Sequence, residues 1–310
     1  MRRFIALAAA AVILSLTVGC QKDGVYKPSY RISALYEYSA IEQQRYNNEL
    51  KIWETYRKDS VKQHIVERWV WNGKKLERID LYRDNSNPSR PSNSLGLVYD
   101  GNRLSRINLS SDKSYMECEY DGRRLKEMRH YDNKGKLDLT YTFEYDGKKV
   151  SKMTVDGEFI PLKNGDGLVE FVTGRLLPCE DITEALARKS DAKTQMTATF
   201  KWKGDNVSSI TYSSGGKHSF RYDSKVNPLQ GLLAMIAMDG EAAGASYYFR
   251  NENNVVSITY VDSDGDEDKT NYSYTYSDDI PVSRSNVVIS HYQQGYRAVS
   301  SQVTTFEYDE

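Results

Sequence analysis

Residues able to do chemistry are thinly spread along this 310-residue chain. Its four histidines, His64, His130, His218 and His291, lie far apart and never at metal-ligand spacing, so each reads first as a strand-face or surface residue. Gly215-Gly216-Lys217 lacks the earlier glycine and the following hydroxyl of a phosphate loop, and no nucleophile elbow occurs. The acidic stretch Asp262-Ser263-Asp264-Gly265-Asp266-Glu267-Asp268 alternates carboxylates as a calcium loop does. Its glycine stands fourth instead of sixth, however, and no bidentate Glu follows at the twelfth place, so a solvated hairpin turn fits better. Acid and base roles for paired carboxylates need distances that spacing does not supply. The remaining signal is aromatic: 24 Tyr and 4 Trp could stack on sugar rings or grip an extended peptide, or else fill the core. No catalytic residue, metal site or cofactor is assigned on these grounds.

The elements that must position any site are written as a repeat. Tyr120-Asp121-Gly122-Arg123-Arg124-Leu125, a looser Tyr131-Asp132-Asn133-Lys134-Gly135-Lys136-Leu137, and Tyr145-Asp146-Gly147-Lys148-Lys149-Val150 each read as strand, turn and returning strand. Trp71-Asn72-Gly73, Tyr99-Asp100-Gly101 and Trp202-Lys203-Gly204 open further copies, and Phe249 to Val255 carries one with a longer turn. The steps between copies accommodate two strands and two turns, the spacing of an antiparallel meander. Behind each turn stand two aliphatic residues three apart, such as Leu76 and Ile79 or Leu125 and Met128. A flat strand sends such a pair to opposite faces, so either both faces are covered or each hairpin carries a bulge that coils the sheet. The bulge reading predicts an all-β meander of hairpins curled into a closed or half-closed barrel-like sheet.

One or two short helices are expected to interrupt it. One lies at Asp181 to Lys189, with Asp181 as cap. The other covers Gln230 to Met238, plugging an open end of the sheet or serving as an exposed contact. Ala40 to Lys58 fits a ragged helical stripe or a Tyr-rich polar strand, and strand is preferred because the rest is strand.

At the N-terminus Arg2 and Arg3 precede an uncharged apolar run, Phe4 to Val18, that meets Gly19-Cys20. This is the pattern of a secretion signal, short for a membrane span. The small residue before a cysteine resembles the lipobox of bacterial lipoproteins, with Thr17 where that pattern prefers Leu; the alternative is a plain signal peptide and an ordinary cysteine. The resemblance implies residues 1–19 as a lipoprotein signal peptide and a lipid on Cys20. Gln21-Lys22-Asp23 is similar to the Lys-and-acid tag that directs Bacteroidota-type lipoproteins to the outer face of the outer membrane, and equally fits a solvated tether. A flexible tether over 20–29 and a single domain over 30–310 follow. Removing 1–19 leaves 40 basic against 43 acidic side chains, a net charge of −3, so nucleic acid is not an expected partner. Cys118 and Cys179 remain as two thiols that an oxidising compartment could join.

The Tyr-Asp-Gly-x-x-Leu-x-x-Ile unit resembles the tyrosine-aspartate repeats of large bacterial wrapping shells. Together with the lipobox, Asn227-Pro228-Leu229-x-Gly231-Leu232 and Tyr276-Ser277-Asp278-Asp279-Ile280-Pro281, the chain is similar over about residues 30 to 310 to Bacteroidota lipoproteins of unknown function with a porin-like fold. That family implies a barrel-like meander and no established activity. A true porin needs an outward apolar band, whereas strands such as Ser114 to Tyr120 alternate large residues with charged ones and mean hydropathy is −0.67. The expectation is an outer-membrane lipoprotein, exposed at the cell surface or facing the periplasm. Its membrane contact would be the N-terminal lipid, and its role a non-enzymatic structural or glycan- or protein-binding module. The alternatives are a secreted envelope hydrolase with a loop-assembled site, or an envelope assembly component.

Overall fold

The computed structural model describes residues 23–82, 89–110, 113–157, 194–213, 215–235, 246–248, 251–261, 263, 265 and 267–309. Its strands are β1 (Ile32–Asn47), β2 (Ile52–Asn72), β3 (Lys75–Leu81), β4 (Asn93–Asp100), β5 (Arg103–Leu109), β6 (Tyr115–Asp121), β7 (Arg124–Tyr131), β8 (Leu137–Asp146) and β9 (Lys149–Gly157). There follow β10 (Thr194–Lys203), β11 (Asn206–Tyr212), β12 (Lys217–Val226), β13 (Leu233–Met235), β14 (Ser246–Tyr248), β15 (Asn253–Val261), β16 (Glu267–Ser277), β17 (Ile280–Gln293) and β18 (Tyr296–Tyr308). Sixteen strands close one barrel as an antiparallel meander, sealed where β1 meets β18 with Leu35 opposite Phe306 and Arg45 opposite Tyr296; β13 and β14 pair separately.

The spacing of three behind each turn is a bulge. Trp71 pairs with Leu76 and Val70 with Arg78, which leaves Glu77 as an extra residue; Ser105, Lys126, Ser151 and Ser208 are the equivalents in the next four tight hairpins. The extra residue restores phase, so both aliphatics of each pair point inward: Leu76, Ile79, Leu125 and Met128 are all buried. The turns themselves centre one residue later than an Asp-Gly reading implies. Asp121 pairs with Arg124, so Gly122 and Arg123 form the loop. Gly122 alone has positive φ, 56°, the pattern of a type II′ turn. In the last such hairpin Asp278 takes the glycine's place at φ 54°.

No helix occurs among the described residues. The helix expected over Gln230 to Met238 is turn and strand as far as Met235: Gly231 at φ 84° halts any helical turn, and β13 then pairs with β14. Leu232 nevertheless joins the core. The helix expected at Asp181 to Lys189 lies outside the described residues. The strand preferred for Ala40 to Lys58 is present as the second half of β1 and the start of β2.

The interior is apolar and the exterior wet. Met116, Met128, Tyr141, Met153 and Ile210 are fully enclosed. The outward face instead carries ion pairs such as Lys126–Glu119 (2.7 Å), Arg129–Glu119 (2.5 Å) and Lys152–Glu144 (2.8 Å). A lipid-spanning barrel has the opposite polarity.

Strand length breaks the symmetry. β3 and β5 have 7 residues, but β1, β2, β17 and β18 have 16, 21, 14 and 13. β3 ends with Leu81 opposite Glu67, while the β1–β2 ladder continues from Tyr36 to Asn47, about 40 Å of further strand. The strands β2-β1-β18-β17 therefore leave the barrel as a four-stranded extension at the end away from the tight turns.

Candidate functional site

The tight-turn end is built by a repeating handshake. Along most of the row the aromatic before the turn donates a hydrogen bond to the carbonyl of the bulged aliphatic in the preceding hairpin, whereas Tyr276 Oη, before the last turn, donates to Asp223 Oδ2 instead. The bonds are Tyr99 Oη to Leu76 O (2.7 Å), Tyr120 Oη to Leu104 O (2.6 Å), Tyr145 Oη to Leu125 O (2.7 Å), Trp202 Nε1 to Val150 O (2.7 Å) and Tyr222 Oη to Val207 O (2.8 Å). Trp71 Nε1 to Ile32 O and Tyr308 Oη to Pro281 O carry the pattern to the seam. Phe could fill the same space but has no donor, which explains why these places hold only Tyr or Trp. Burial holds the Tyr99 hydroxyl protonated, raising its pKa to about 12.

A cation completes each unit. Arg103 lies 4.3 Å over Tyr120 and its Nη1 donates to Gly122 O (2.9 Å); Lys75 lies over Tyr99 and Arg124 over Tyr145 in the same manner. The aromatics of the turn end are therefore structural and do not form a sugar-stacking row.

The bulge leaves one backbone N–H per hairpin directed into the barrel end, and the chain supplies acceptors from elsewhere. Leu104 N donates to Gly24 O (2.8 Å), Leu125 N to Asp23 Oδ2 (2.9 Å) and Val207 N to Asn251 Oδ1 (3.0 Å). Pro281 occupies the equivalent place in the last hairpin and has no N–H to satisfy. Asp23 is buried, also accepts from Tyr145 Oη (3.0 Å), and donates its own N–H to Arg123 O (3.0 Å). Gly24 must be glycine: its φ is 76°, and a Cβ there would lie 2.1 Å from Tyr120 Oη. Tyr26 stacks on Trp71 and donates to Pro228 O (2.8 Å).

Residues Asp23 to Tyr26 thus belong to the barrel, and the flexible tether expected through residue 29 does not extend over them. Of the predicted site residues, Cys20, Gln21 and Lys22 lie outside the described residues, and Asp23 is this buried acceptor. Nothing in the repeat signalled that role, because the acceptors come from a segment that does not share it.

The candidate chemical groups do not converge. His218 is buried between Phe220 and Tyr260 with Nδ1 3.0 Å from Tyr212 Oη, and burial lowers its pKa to about 3. His130 is buried with Nδ1 2.5 Å from Asp138 Oδ1, while His64 contacts Lys62 O. His291 lies on β17. Cys118 has a free thiol whose pKa burial pushes up to about 12, the wrong direction for a nucleophile, and Cys179 lies outside the described residues. Among the described residues no His, Cys, Asp and Glu cluster could hold a metal. A cleft at the turn end, lined by Asn227, Pro228, Leu229 and Tyr274 among others, has room for about one water molecule, far less than the usual ligand pocket.

The extension is the other distinctive surface. Of the thirteen exposed large apolar side chains among the described residues, nine lie on it, including Ile41, Tyr56 and the run Val287, Val288 and Ile289. Aromatic pairs gather toward its tip: Tyr46 with Trp53 at 5.3 Å, Arg297 over Trp53 at 4.3 Å, and Tyr56 with Tyr296 at 6.3 Å. Its two edges differ. The β2 edge carries Arg57, Lys58, Asp59 and Lys62, charges that discourage strand pairing, whereas Ser285 to Gln293 has no charged residue or proline.

The barrel resembles porin-like proteins. One from Bacteroides uniformis is 12% identical, the match covering 88% of this chain and 98% of that one with a TM-score of 0.46. Another from Bacteroides vulgatus is 10% identical over 86% and 97% of the two chains, with a TM-score of 0.28. No family model and no curated protein matches the chain.

Proposed function

We propose that this chain is a membrane-tethered, non-enzymatic scaffold that holds a four-stranded sheet out to a protein partner in the bacterial envelope. The single observation that carries this reading is the concentration of exposed apolar and aromatic side chains on an extension that the barrel does not need for its own closure. A filled interior leaves no solute channel, and an outward face of ion pairs suits water, so the tether would be the lipid on Cys20. Gln21, Lys22 and Asp23 would direct export to the outer face of the outer membrane. In the folded chain Asp23 is enclosed, so export machinery would read it before docking or read Gln21 and Lys22 beside it.

A photo-crosslinker placed at Tyr56 or Ile289 in cells should capture one protein, while the same group at Thr199 on the barrel wall should capture none. Equal capture at all three sites, or capture of glycan alone, rejects the protein-docking reading. Mass spectrometry of the processed N-terminus tests the thioether lipid on Cys20, and protease shaving of intact cells separates surface from periplasmic exposure.

A further inference from the structure

We propose that the tight-turn end docks on the anionic, phosphate-bearing lipid headgroups of the membrane leaflet that holds the anchor, so that the barrel stands on the turns from β2–β3 to β10–β11 and the four-stranded extension points away. This rests on the lipid on Cys20 put forward above.

The charge of the turn end is divided into two arcs. From the β2–β3 turn to the β10–β11 turn, the acids in the turns are Asp100, Asp121, Asp146 and Asp205, beside the buried Asp23. The first three sit directly across the ladder from Arg103, Arg124 and Lys149, and Asp205 lies 3.3 Å from Lys149 Nζ. The arc also carries Lys74, Lys75, Arg123, Lys148 and Lys203, all exposed, so its bases outnumber its acids. Among the described residues the opposite arc is acidic, with Asp223, Glu252, Asp278, Asp279 and Asp309 against Lys225. A whole-chain charge near zero conceals this division.

The chain enters the barrel inside the basic arc. Asp23 is fixed by its N–H to Arg123 O and by its carboxylate to Leu125 N and Tyr145 Oη. Cys20 is three residues earlier, so fully extended chain lets the anchor stand no more than about 10 Å from that point. A lipid on Cys20 therefore brings headgroups to about one Debye length of Arg123 and its neighbours, where each cation adds attraction to an anionic surface. A leash this short also restrains the barrel from turning its acidic arc to the bilayer.

The test uses the full chain, purified from membranes, in phosphatidylcholine vesicles with and without phosphatidylglycerol. An environment-sensitive fluorophore is placed at Asn102, in a basic-arc turn, or at Asn48, at the tip of the extension. The expected result is quenching of the Asn102 probe by headgroup-labelled lipid only when phosphatidylglycerol is present, reversed by salt, with the Asn48 probe unaffected. The double variant Arg123→Glu and Lys148→Glu should weaken that contact by roughly tenfold or more. Equal quenching at both probes, or Asn102 quenching indifferent to phosphatidylglycerol, salt and the double variant, overturns the proposal. If mass spectrometry finds no lipid on Cys20, the tether reading fails separately. Co-sedimentation of the chain with the two vesicle types then decides: salt-sensitive binding to phosphatidylglycerol alone supports docking, and no binding overturns it.

Discussion

The two ends of the barrel are made from the same kind of strand by different rules. At the tight-turn end the tight hairpins repeat one arrangement of aromatic, bulge and cation, with backbone groups taken up by neighbours or by Asp23 and Gly24. At the other end four strands run on with no repeat, wet on both faces, and one of their edges carries no charge. Repetition here marks the part that must fold, and departure from it marks the part available to something else.

The largest effect that would sharpen this contrast is core truncation. Leu125→Ala, at a fully buried bulge position, should cost about 2–5 kcal/mol in denaturant unfolding. Ile289→Ser on the extension should change stability by less than about 0.5 kcal/mol. Comparable losses would mean that the extension is part of the cooperative unit.

Acid should act next, through His218. The unfolded imidazole binds a proton below about pH 6.5, whereas the buried one resists until about pH 3. Its contribution is thus fully present above pH 6.5 and is lost as pH falls toward 3, by on the order of a few kcal/mol. His218→Phe should flatten the pH dependence of unfolding in that window, and an unchanged profile would place the acid sensitivity elsewhere.

Smaller still is the N-terminal fastening. Asp23→Ala leaves Leu125 N without its acceptor, while Tyr145 Oη keeps Leu125 O, and should cost about 1–3 kcal/mol, with residues 23–26 becoming open to protease. Tyr120→Phe removes one handshake donor and should cost about 1 kcal/mol, whereas Tyr56→Phe on the extension should cost nothing measurable by thermal unfolding. If the two phenylalanine variants behave alike, the handshake is ornament.

Much of the scaffold was legible before any coordinates. Leu76 with Ile79, and Leu125 with Met128, signalled a bulge because strand period two cannot put residues three apart on one face. The handshake was not legible: the pre-turn aromatics read only as stacking or core residues, because the carbonyl that each Tyr or Trp donor meets lies in the neighbouring hairpin. The closure of the barrel, the docking of Asp23 and the turns at Gln230 and Gly231 were not legible, since each depends on contacts between segments distant in sequence. The extension was obscured for a different reason: with water on both faces, Ala40 to Lys58 loses the alternation that identifies a strand.

The handshake also bears on how such a wall changes size. Each hairpin presents the same carbonyl on one side and the same donor on the other, so excising one whole hairpin from the middle of the row would bring together two ends that already fit. Girth can then grow or shrink in steps of two strands with no new joint to invent, and Pro281, having no N–H for a neighbour to satisfy, marks where such counting can stop.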